Sequence, residues 1–178
     1  MEGLAMENNR LSYIYWTHLN RGNWNLHLAA TSKGLCYVES GDSSWEGLQR
    51  WAEMRLPHSQ LKRDDNRMNR YKEQFIQYLE RERSDFTFPL DLHGTPFQLT
   101  VWKALQELSY ASTYAYSDIA ELIRRPGAAR AVGAAIGANP VLIAIPCHRV
   151  IGKNRTLTGY RGGLKMKTDL LQLEKSRS

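Results

Sequence analysis

The chain has few cysteines: its 178 residues contain two, Cys36 and Cys147. Two cysteines cannot build a disulfide framework or a cysteine-rich zinc site, so a reducing, cytoplasmic location and no metal are expected. The five histidines are scattered, without metal-ligand spacing. No apolar run approaches the length of a membrane span, and no apolar signal segment opens the sequence. These absences predict a protein without a membrane partner or a cofactor.

Acidic residues are scarce in only one half of the chain. The formal net charge is +6 and the sequence pI is about 9.4. Residues 1–88 carry 12 basic and 12 acidic side chains, whereas residues 89–178 carry 12 basic and 6 acidic ones. The whole excess therefore lies in the second half. It suits a polyanionic partner, most often nucleic acid, and it suits an ordinary basic surface equally well.

The first half has the strand pattern of an α/β domain. Residues 12–19 are a candidate strand. The apolar runs 24–31 and 35–40 flank the turn SKG, which fits a hairpin. Cys36 falls within the second run, and we interpret it as a small buried hydrophobe rather than a reactive thiol.

Two helices are predicted after these strands. Ser43 and Glu46 match a capping box that opens the first. The second covers residues 66–83, with an apolar stripe formed by Met68, Tyr71, Phe75 and Leu79. Residues 84–94 are rich in turn formers and lack a helical period, so we predict a linker there. The expected domains are residues 1–88 and 89–178.

The second half begins with three predicted helices. Thr95 and Pro96 are a suitable N-cap and first turn for a helix whose buried stripe is Phe97, Val101, Leu105 and Leu108. Ser117 is a second candidate N-cap. Nine of the twelve residues in 127–138 are alanine or glycine. Close packing on a neighbouring helix explains that composition, and so does the second helix of a helix-turn-helix that approaches DNA.

The second cysteine lies in the stretch IPCHRVIG, residues 145–152. The β-branched, apolar sequence around it predicts short extended segments. The last predicted helix, 164–176, places Glu174 on an apolar face with Leu164, Met166, Leu170, Leu171 and Leu173. A carboxylate on such a face is costly to bury without a partner. Glu174 is therefore either a frayed, exposed helix end or the group that orients a histidine.

A thiol becomes a good nucleophile when a base removes its proton. Cys147, His148 and Glu174 supply a thiol, a base and an orienting carboxylate. Adjacent residues in an extended segment point apart, so His148 is expected to reach Cys147 through a bridging water. These three residues alone also allow a Cys-His-Glu hydrolase. We expect Glu174→Gln to cost little folding stability, because a neutral amide is cheaper to bury than an unpaired charge.

Taken together, these motifs resemble the O6-alkylguanine-DNA alkyltransferases, the single-turnover DNA-repair proteins. IPCHRVIG is joined to GANP upstream and TGYRGGLKMK downstream, and GTPFQLTVWKAL, YSDIAELI and AARAVGAAIGANP occur in the family's order. The close match covers residues 89–174. The resemblance implies a ribonuclease-H-like α/β domain followed by a mainly α domain with a helix-turn-helix. It also implies a methylated-DNA–protein-cysteine methyltransferase of the bacterial type, acting as a monomer on double-stranded DNA that carries O6-alkylguanine.

The resemblance also implies roles for individual residues. Cys147 would accept the alkyl group irreversibly from O6 of guanine, and possible substrates extend to O4 of thymine. His148 would be the water-linked base, Glu174 its orienting carboxylate, and Asn139 the brace of the cysteine loop. Tyr116 would assist nucleotide rotation and donate a proton to the base.

A second set of roles concerns DNA. Arg130 would enter the duplex and fill the space of the flipped base, because the O6 substituent is out of reach inside the stack. The small residues around it would let the recognition helix enter the minor groove: Ala129, Ala131 and Gly133. The walls of the base pocket would be the backbone of Val150 and the loop that contains Tyr160 and Arg161.

Two features of the sequence depart from some relatives. The cysteines and histidines of an N-terminal zinc site are missing, so no zinc is predicted. Gly137 stands where some relatives carry arginine, which predicts weaker DNA binding. An alkyltransferase-like protein that binds lesions without transfer remains an alternative, although such relatives lack the acceptor cysteine.

Overall fold

The computed structural model of the chain describes residues 12–176. The predicted domains 1–88 and 89–178 also include residues 1–11 and 177–178, which lie outside the described residues. Within them, the first half comprises β1 (Ser12–Arg21), β2 (Trp24–Ala30), β3 (Leu35–Ser40), α1 (Ser44–Arg55), β4 (Ser59–Arg63) and α2 (Asp65–Leu79). The second half comprises α3 (Pro96–Gln106), β5 (Tyr114–Ala115), α4 (Tyr116–Leu122), α5 (Ala129–Gly137), a 3-10 turn (Cys147–Arg149), β6 (Val150–Ile151) and α6 (Leu164–Lys175).

The first half is built on a four-stranded sheet in the order β3-β2-β1-β4. The predicted hairpin is confirmed, because β2 and β3 pair antiparallel across the SKG turn. Strand β4 pairs parallel with β1 at the edge of the sheet, and the sequence analysis missed it. Its residues are mostly exposed and polar, so they lack the apolar alternation that reveals a strand.

Helices α1 and α2 pack on the two faces of this sheet. The predicted apolar stripe of α2 is buried, together with Tyr78. That helix ends at Leu79 rather than at residue 83, because Arg81 adopts a left-handed φ of 65°. Helix α1 covers the face that holds Cys36, which is fully buried as expected.

The predicted capping box of α1 is wrong. Ser43 occupies the N-cap position, but its side chain makes no capping hydrogen bond. Its backbone angles, φ −93° and ψ 11°, lie outside the extended region that lets a serine hydroxyl reach the first turn. The neighbouring Ser44 instead bonds to His27 Nδ1 at 2.7 Å and tucks α1 against β2.

The segment predicted as a linker, residues 84–94, packs against the first half. Leu35 N donates to Pro89 O and Asp91 N donates to Leu35 O, both at 2.9 Å. Gly34 permits this approach, because a Cβ there would lie 2.4 Å from Pro89 O. These contacts join residues distant in sequence, so local turn chemistry could not reveal them.

The second half contains the predicted helices with two shifted starts. Thr95 caps α3 and forms a capping box with Gln98, as expected of a helix that starts at Pro96. Helix α4 begins at Tyr116, before the predicted cap Ser117, because the Asp118 carboxylate accepts a bond from Ala115 N at 2.7 Å. Helix α5 is shorter than predicted and begins at Ala129.

Helices α3, α4 and α5 pack together, with α4 and α5 as a helix-turn-helix. One continuous core joins α2 and the sheet to α3, α5 and α6. The predicted fold class, an α/β half followed by a mainly α half, is confirmed. Among residues 12–176, no helix combines the length and the apolar character that crossing a membrane requires.

Candidate active site

Cys147 opens the 3-10 turn that follows Pro146, and its side chain is buried. The sequence predicted extended segments here, and the extended strand β6 begins only at Val150. Asn139 braces the turn: its Nδ2 donates to Cys147 Sγ and to Ile145 O, each at 3.1 Å. Asn139 Oδ1 accepts a bond from Val141 N at 2.9 Å. All three of these hydrogen bonds join the amide to the segment that carries the thiol.

The segment between Asn139 and Cys147 is tightly folded. Ile143 is buried and has a φ of 72°, in the left-handed region that a β-branched residue rarely adopts. Ile145 N donates to Val141 O at 3.1 Å, which closes the turn. Backbone strain of this kind persists only where the surrounding contacts hold it, and the buried apolar neighbours supply them here.

A cavity of about 600 Å³ opens in front of the thiol. Five of the predicted site residues line it with Cys147: Tyr116, Ala129, Gly133, Tyr160 and Arg161. Ile136, Thr158 and Gly159 also line the cavity and were not predicted. Gly137, which the sequence analysis connected only with DNA binding, completes the lining. The lining is mostly apolar, and the size suits a small planar ligand. Tyr116 Oη lies 2.9 Å from Thr158 Oγ1, which links α4 to the loop across the cavity.

Three of the predicted DNA-contact and pocket residues lie elsewhere. Val150 is fully buried and is not among the residues that line the cavity; its carbonyl accepts a bond from Lys167 Nζ at 2.6 Å. Arg130 and Ala131 are exposed on the outer face of α5. Most of that outer face is formed by small residues, namely Ala131, Ala134, Gly137 and Ala138. Another molecule can therefore approach the backbone of α5 closely.

His148 and Glu174 form a fully buried pair beside the thiol. His148 Nε2 lies 2.5 Å from Glu174 Oε1. Burial lowers the pKa of His148, and the opposing effect of Glu174 does not overcome it, so the imidazole is neutral at rest. The carboxylate then fixes the tautomer with its proton on Nε2. His148 Nδ1 is buried and has no hydrogen-bonding partner among the described residues, so its lone pair is available as a base.

Glu174 has more partners than the histidine that the sequence suggested. Arg149 Nε donates to Oε2 at 3.0 Å, and Arg149 Nη2 donates to Oε1 at 3.0 Å. Ala111 N donates to Oε2 at 2.8 Å, and the Tyr78 hydroxyl donates to Oε1. Burial raises the pKa of Glu174, but the bonds from His148, Arg149 and Tyr78 outweigh it and hold the pKa at about 2. The carboxylate is thus ionised.

The expectation that Glu174→Gln costs little stability is therefore wrong in its premise. The argument considered Glu174 as an otherwise unpaired charge, whereas Arg149 is buried and ion-paired with it. A neutral amide at position 174 would leave the guanidinium without its counter-ion. Removing one partner of a buried pair typically costs about 3–5 kcal/mol. Arg149 and Tyr78 escaped the sequence analysis because their side chains meet Glu174 only through the tertiary fold.

The thiol itself is protonated at rest. Burial raises the pKa of Cys147, while the Asn139 hydrogen bond and the positive charges of Arg161 and Lys167 act against that rise. Lys167 is almost fully buried, and its Nζ also donates to Thr158 O at 2.9 Å. It occupies the face of α6 that holds Leu170 and Glu174, where the sequence analysis expected Leu164, which is exposed. The spacing from Lys167 to Leu170 and Glu174 could have revealed it.

Among the described residues, no direct hydrogen bond joins Cys147 to His148. This is compatible with the expectation that a water bridges them. The site thus combines a protonated thiol, a neutral base and a fixed carboxylate beside a cavity. Within residues 12–176, no cluster of three or more histidine, cysteine, aspartate or glutamate side chains is arranged to hold a metal ion. The metal-free site stays a prediction.

Comparisons with known proteins agree over both halves of the chain. The ribonuclease-like domain of 6-O-methylguanine DNA methyltransferase matches residues 14–92, and the DNA-binding domain of the same family matches residues 96–176. An inducible methylated-DNA–protein-cysteine methyltransferase of Bacillus subtilis is 54% identical over 173 residues, which cover 97% of this chain and 96% of the relative.

Solved structures are also similar to this chain. The O6-methylguanine methyltransferase of Mycobacterium tuberculosis has a TM-score of 0.81 and 38% identity, covering 93% of this chain and 94% of that one. A structure of the M. tuberculosis OGT in complex with DNA has a TM-score of 0.79 and 37% identity, covering 92% and 94%. Both comparisons span the two halves together.

Proposed function

The chain belongs to the 6-O-methylguanine DNA methyltransferase family, and on that premise we propose that it repairs alkylated DNA by moving the alkyl group from O6 of guanine to Cys147. The observation that carries this proposal is the arrangement at the cavity. The thiol, which Asn139 braces, faces a mostly apolar cavity. The neutral His148 is hydrogen-bonded to the ionised Glu174, and its Nδ1 has no partner among the described residues.

The reaction begins with the proton of the thiol. His148 Nδ1 accepts it through one bridging water, and Glu174 stabilises the resulting imidazolium. The Cys147 thiolate then attacks the alkyl carbon in line with the bond to O6. A carbon–sulfur bond forms and the carbon–oxygen bond breaks, with its electron pair passing into the guanine ring.

The departing guanine takes up one proton. The Tyr116 hydroxyl lies at the wall of the cavity, where it can donate to the base, and the proton accepted by His148 replaces it through solvent. The products are guanine and a thioether, which no group in the site can hydrolyse. Each molecule therefore acts once. The Asn139 amide supports the step by donating to the sulfur as negative charge develops there.

Access to the O6 substituent requires that the nucleotide leave the stacked duplex, which costs a few kcal/mol. We infer that the exposed face of α5 enters the minor groove, since its small residues allow close approach to the sugar-phosphate backbone. Arg130 is exposed on that face and has the length to fill the space of the flipped base. The M. tuberculosis protein of similar fold has been solved in complex with DNA. The net charge of residues 89–178 supports contacts that are independent of sequence.

Titration with excess alkylated DNA tests this proposal. The protein is incubated with duplex DNA carrying O6-methylguanine, and repaired guanine is counted per protein molecule. Alkyl transfer predicts one repaired base per molecule and a mass gain of one methyl group. A Cys-His-Glu hydrolase would turn over repeatedly with no mass gain, and a lesion-binding protein would repair nothing. Cys147→Ser is the matched control, which should bind the DNA without repairing it.

A further inference from the structure

Arg161 lies in the loop that forms one wall of the cavity, yet its guanidinium is held by the first half of the chain. Its Nη2 donates to Val38 O of β3 at 2.9 Å. Its Nη1 lies 3.8 Å from Glu39 Oε1. The guanidinium also lies over the ring of Tyr37, 5.2 Å from the centroid. Three consecutive residues of one strand therefore position this side chain.

The same strand holds the segment that braces the thiol. Val38 N donates to Pro140 O at 2.9 Å, and Leu142 N donates to Val38 O at 3.3 Å. Pro140 follows Asn139 directly. The backbone of Val38 is thus bonded both to the cysteine brace and to the cavity wall. This fixes the position of Arg161 relative to Cys147.

The acidic partner of Arg161 is itself fixed. The Tyr37 hydroxyl donates to Glu39 Oε2. Helix α1 makes room for the pair at Gly47, where a Cβ would lie 2.1 Å from Glu39 Oε2. A side chain at that position would displace the carboxylate, so the close approach of α1 depends on glycine. Arg161 therefore pairs with an anion on β3 and lines the same cavity as the Cys147 thiol.

We propose that Arg161 is a positioning residue for alkyl transfer: strand β3 holds its charge in place, and that charge stabilises the Cys147 thiolate. This inference rests on the proposed function. It gives the first half of the chain a direct part in the reaction, through a side chain that the second half supplies. Glu39 is the counter-charge that moderates the effect.

Other groups around the Cys147 thiol act on it together with the charge of Arg161. Asn139 donates to the sulfur, and Lys167 of α6 adds a second positive charge. His148 is neutral at rest, and burial raises the pKa of Tyr160 so that its hydroxyl stays protonated. Lys167 is therefore a second cation that, like Arg161, favours the thiolate form of Cys147.

The test compares two charge-neutralising variants of opposite sign, Arg161→Gln and Glu39→Gln. Alkylation of Cys147 by iodoacetamide is followed against pH by peptide mass spectrometry, because this small reagent does not require the base pocket. Lys165→Gln is the control: it removes one positive charge nearby, from an exposed side chain paired with Asp169. Thermal unfolding of each variant is measured in parallel.

Arg161→Gln should raise the pH midpoint by about half to one unit and slow alkylation near pH 7 about three- to tenfold. Glu39→Gln should leave the midpoint in place or lower it, and Lys165→Gln should leave it in place. General loosening of the fold would instead move both variants in the same direction. Equal shifts of the same sign, or an unmoved midpoint in Arg161→Gln, would overturn the proposal.

A separate readout distinguishes this inference from the proposed function. Each variant is also incubated to completion with O6-benzylguanine, and its intact mass is measured. A gain of one benzyl group in every variant keeps the proposed function whatever the midpoints show. If the unsubstituted protein gains no benzyl group, the proposed function itself fails.

Discussion

The two cysteines of this chain are both buried, and both are free thiols, but their surroundings differ. Cys36 lies in the core between the sheet and α1, where its Sγ donates to Ala29 O at 3.4 Å. Burial and the nearby Asp91 raise its pKa strongly. Cys147 is equally enclosed, yet it receives a hydrogen bond from Asn139 and faces the charges of Arg161 and Lys167.

This comparison shows that burial alone does not decide whether a thiol reacts. Both sulfurs lose the solvation that a thiolate needs. At Cys147 a hydrogen-bond donor and two cations offset part of what burial removes, and a neutral base and a cavity lie beside the sulfur. At Cys36 the hydrogen bond leads to a carbonyl, which accepts from a thiol and repels a thiolate. Reactivity therefore comes from the polar groups that the fold places around one of the two sulfurs.

The largest effect is expected from exchanging the sulfurs for oxygen. Cys147→Ser should abolish alkyl transfer and retain DNA binding, because a hydroxyl is a far weaker nucleophile at neutral pH. Cys36→Ser should transfer one alkyl group as the unsubstituted protein does. The measurement is repaired guanine per molecule, with a gel-shift assay for binding. Alkyl transfer by the Cys147→Ser variant would contradict the assignment of Cys147 as the reactive thiol.

Next in size is the effect of Glu174→Gln. The free energy of unfolding should fall by about 3 kcal/mol, because buried Arg149 loses its counter-ion. His148 should become a weaker base, so the alkylation of Cys147 by O6-benzylguanine should shift to higher pH. Urea unfolding and a pH profile measure the two effects. Superimposable profiles would show that Glu174 has no part in activating the thiol.

The stability of the protein at acid pH gives an independent measure of the ionisation of Glu174. The pKa of Glu174 is held at about 2, below its ordinary value of 4.5, so its contribution to stability is fully present above pH 4.5. That contribution should be lost as the pH falls through about 2. The difference in stability between the unsubstituted protein and Glu174→Gln should therefore shrink across this range. A difference that stays constant would contradict the ionised, fully paired carboxylate.

A smaller effect is expected when Asn139 is replaced by alanine. The variant loses the donor to Cys147 Sγ and the bonds to Ile145 O and Val141 N. Stability should fall by about 1–3 kcal/mol, because buried backbone groups lose their partners. Alkylation at neutral pH should slow about tenfold if the thiolate loses a bond worth one pKa unit. Alkylation at the unsubstituted rate would show that the amide only supports the turn.

The smallest effect on the thiol is expected from Arg130→Ala. Arg130 is exposed on α5, outside the cavity lining, so reaction with free O6-benzylguanine should change less than about twofold. Repair of duplex DNA should slow about tenfold, since extruding a nucleotide costs a few kcal/mol. Ala131→Ser on the same face is a control that keeps the arginine. Equal slowing with both substrates would place Arg130 in the chemistry rather than in access to the base.

The sequence revealed the local features of this protein better than its long-range contacts. The stripe of α2 and the cap at Thr95 follow from residues close together in the chain. The strand β4 was missed because an exposed edge strand has no apolar alternation. The packing of residues 84–94 on Leu35 depends on backbone bonds between distant segments.

The same distinction holds within the candidate site. Cys147, His148 and Glu174 could be named from residue type, apolar periodicity and resemblance to a family. Tyr78 and Arg149 could not be assigned to the site, because their side chains reach Glu174 only after α2, the 3-10 turn and α6 pack together. The anchoring of Arg161 on β3 likewise joins residues 123 positions apart.

The central claim is that the groups around Cys147 make it, and not Cys36, the acceptor of the alkyl group. It is tested most directly by reacting the unsubstituted protein with one equivalent of duplex DNA carrying O6-methylguanine and mapping the methyl group by peptide mass spectrometry. The account predicts a stoichiometric gain on the peptide that contains Cys147 and an unmodified peptide around Cys36. Methyl found on Cys36, or divided between the two cysteines, would contradict it.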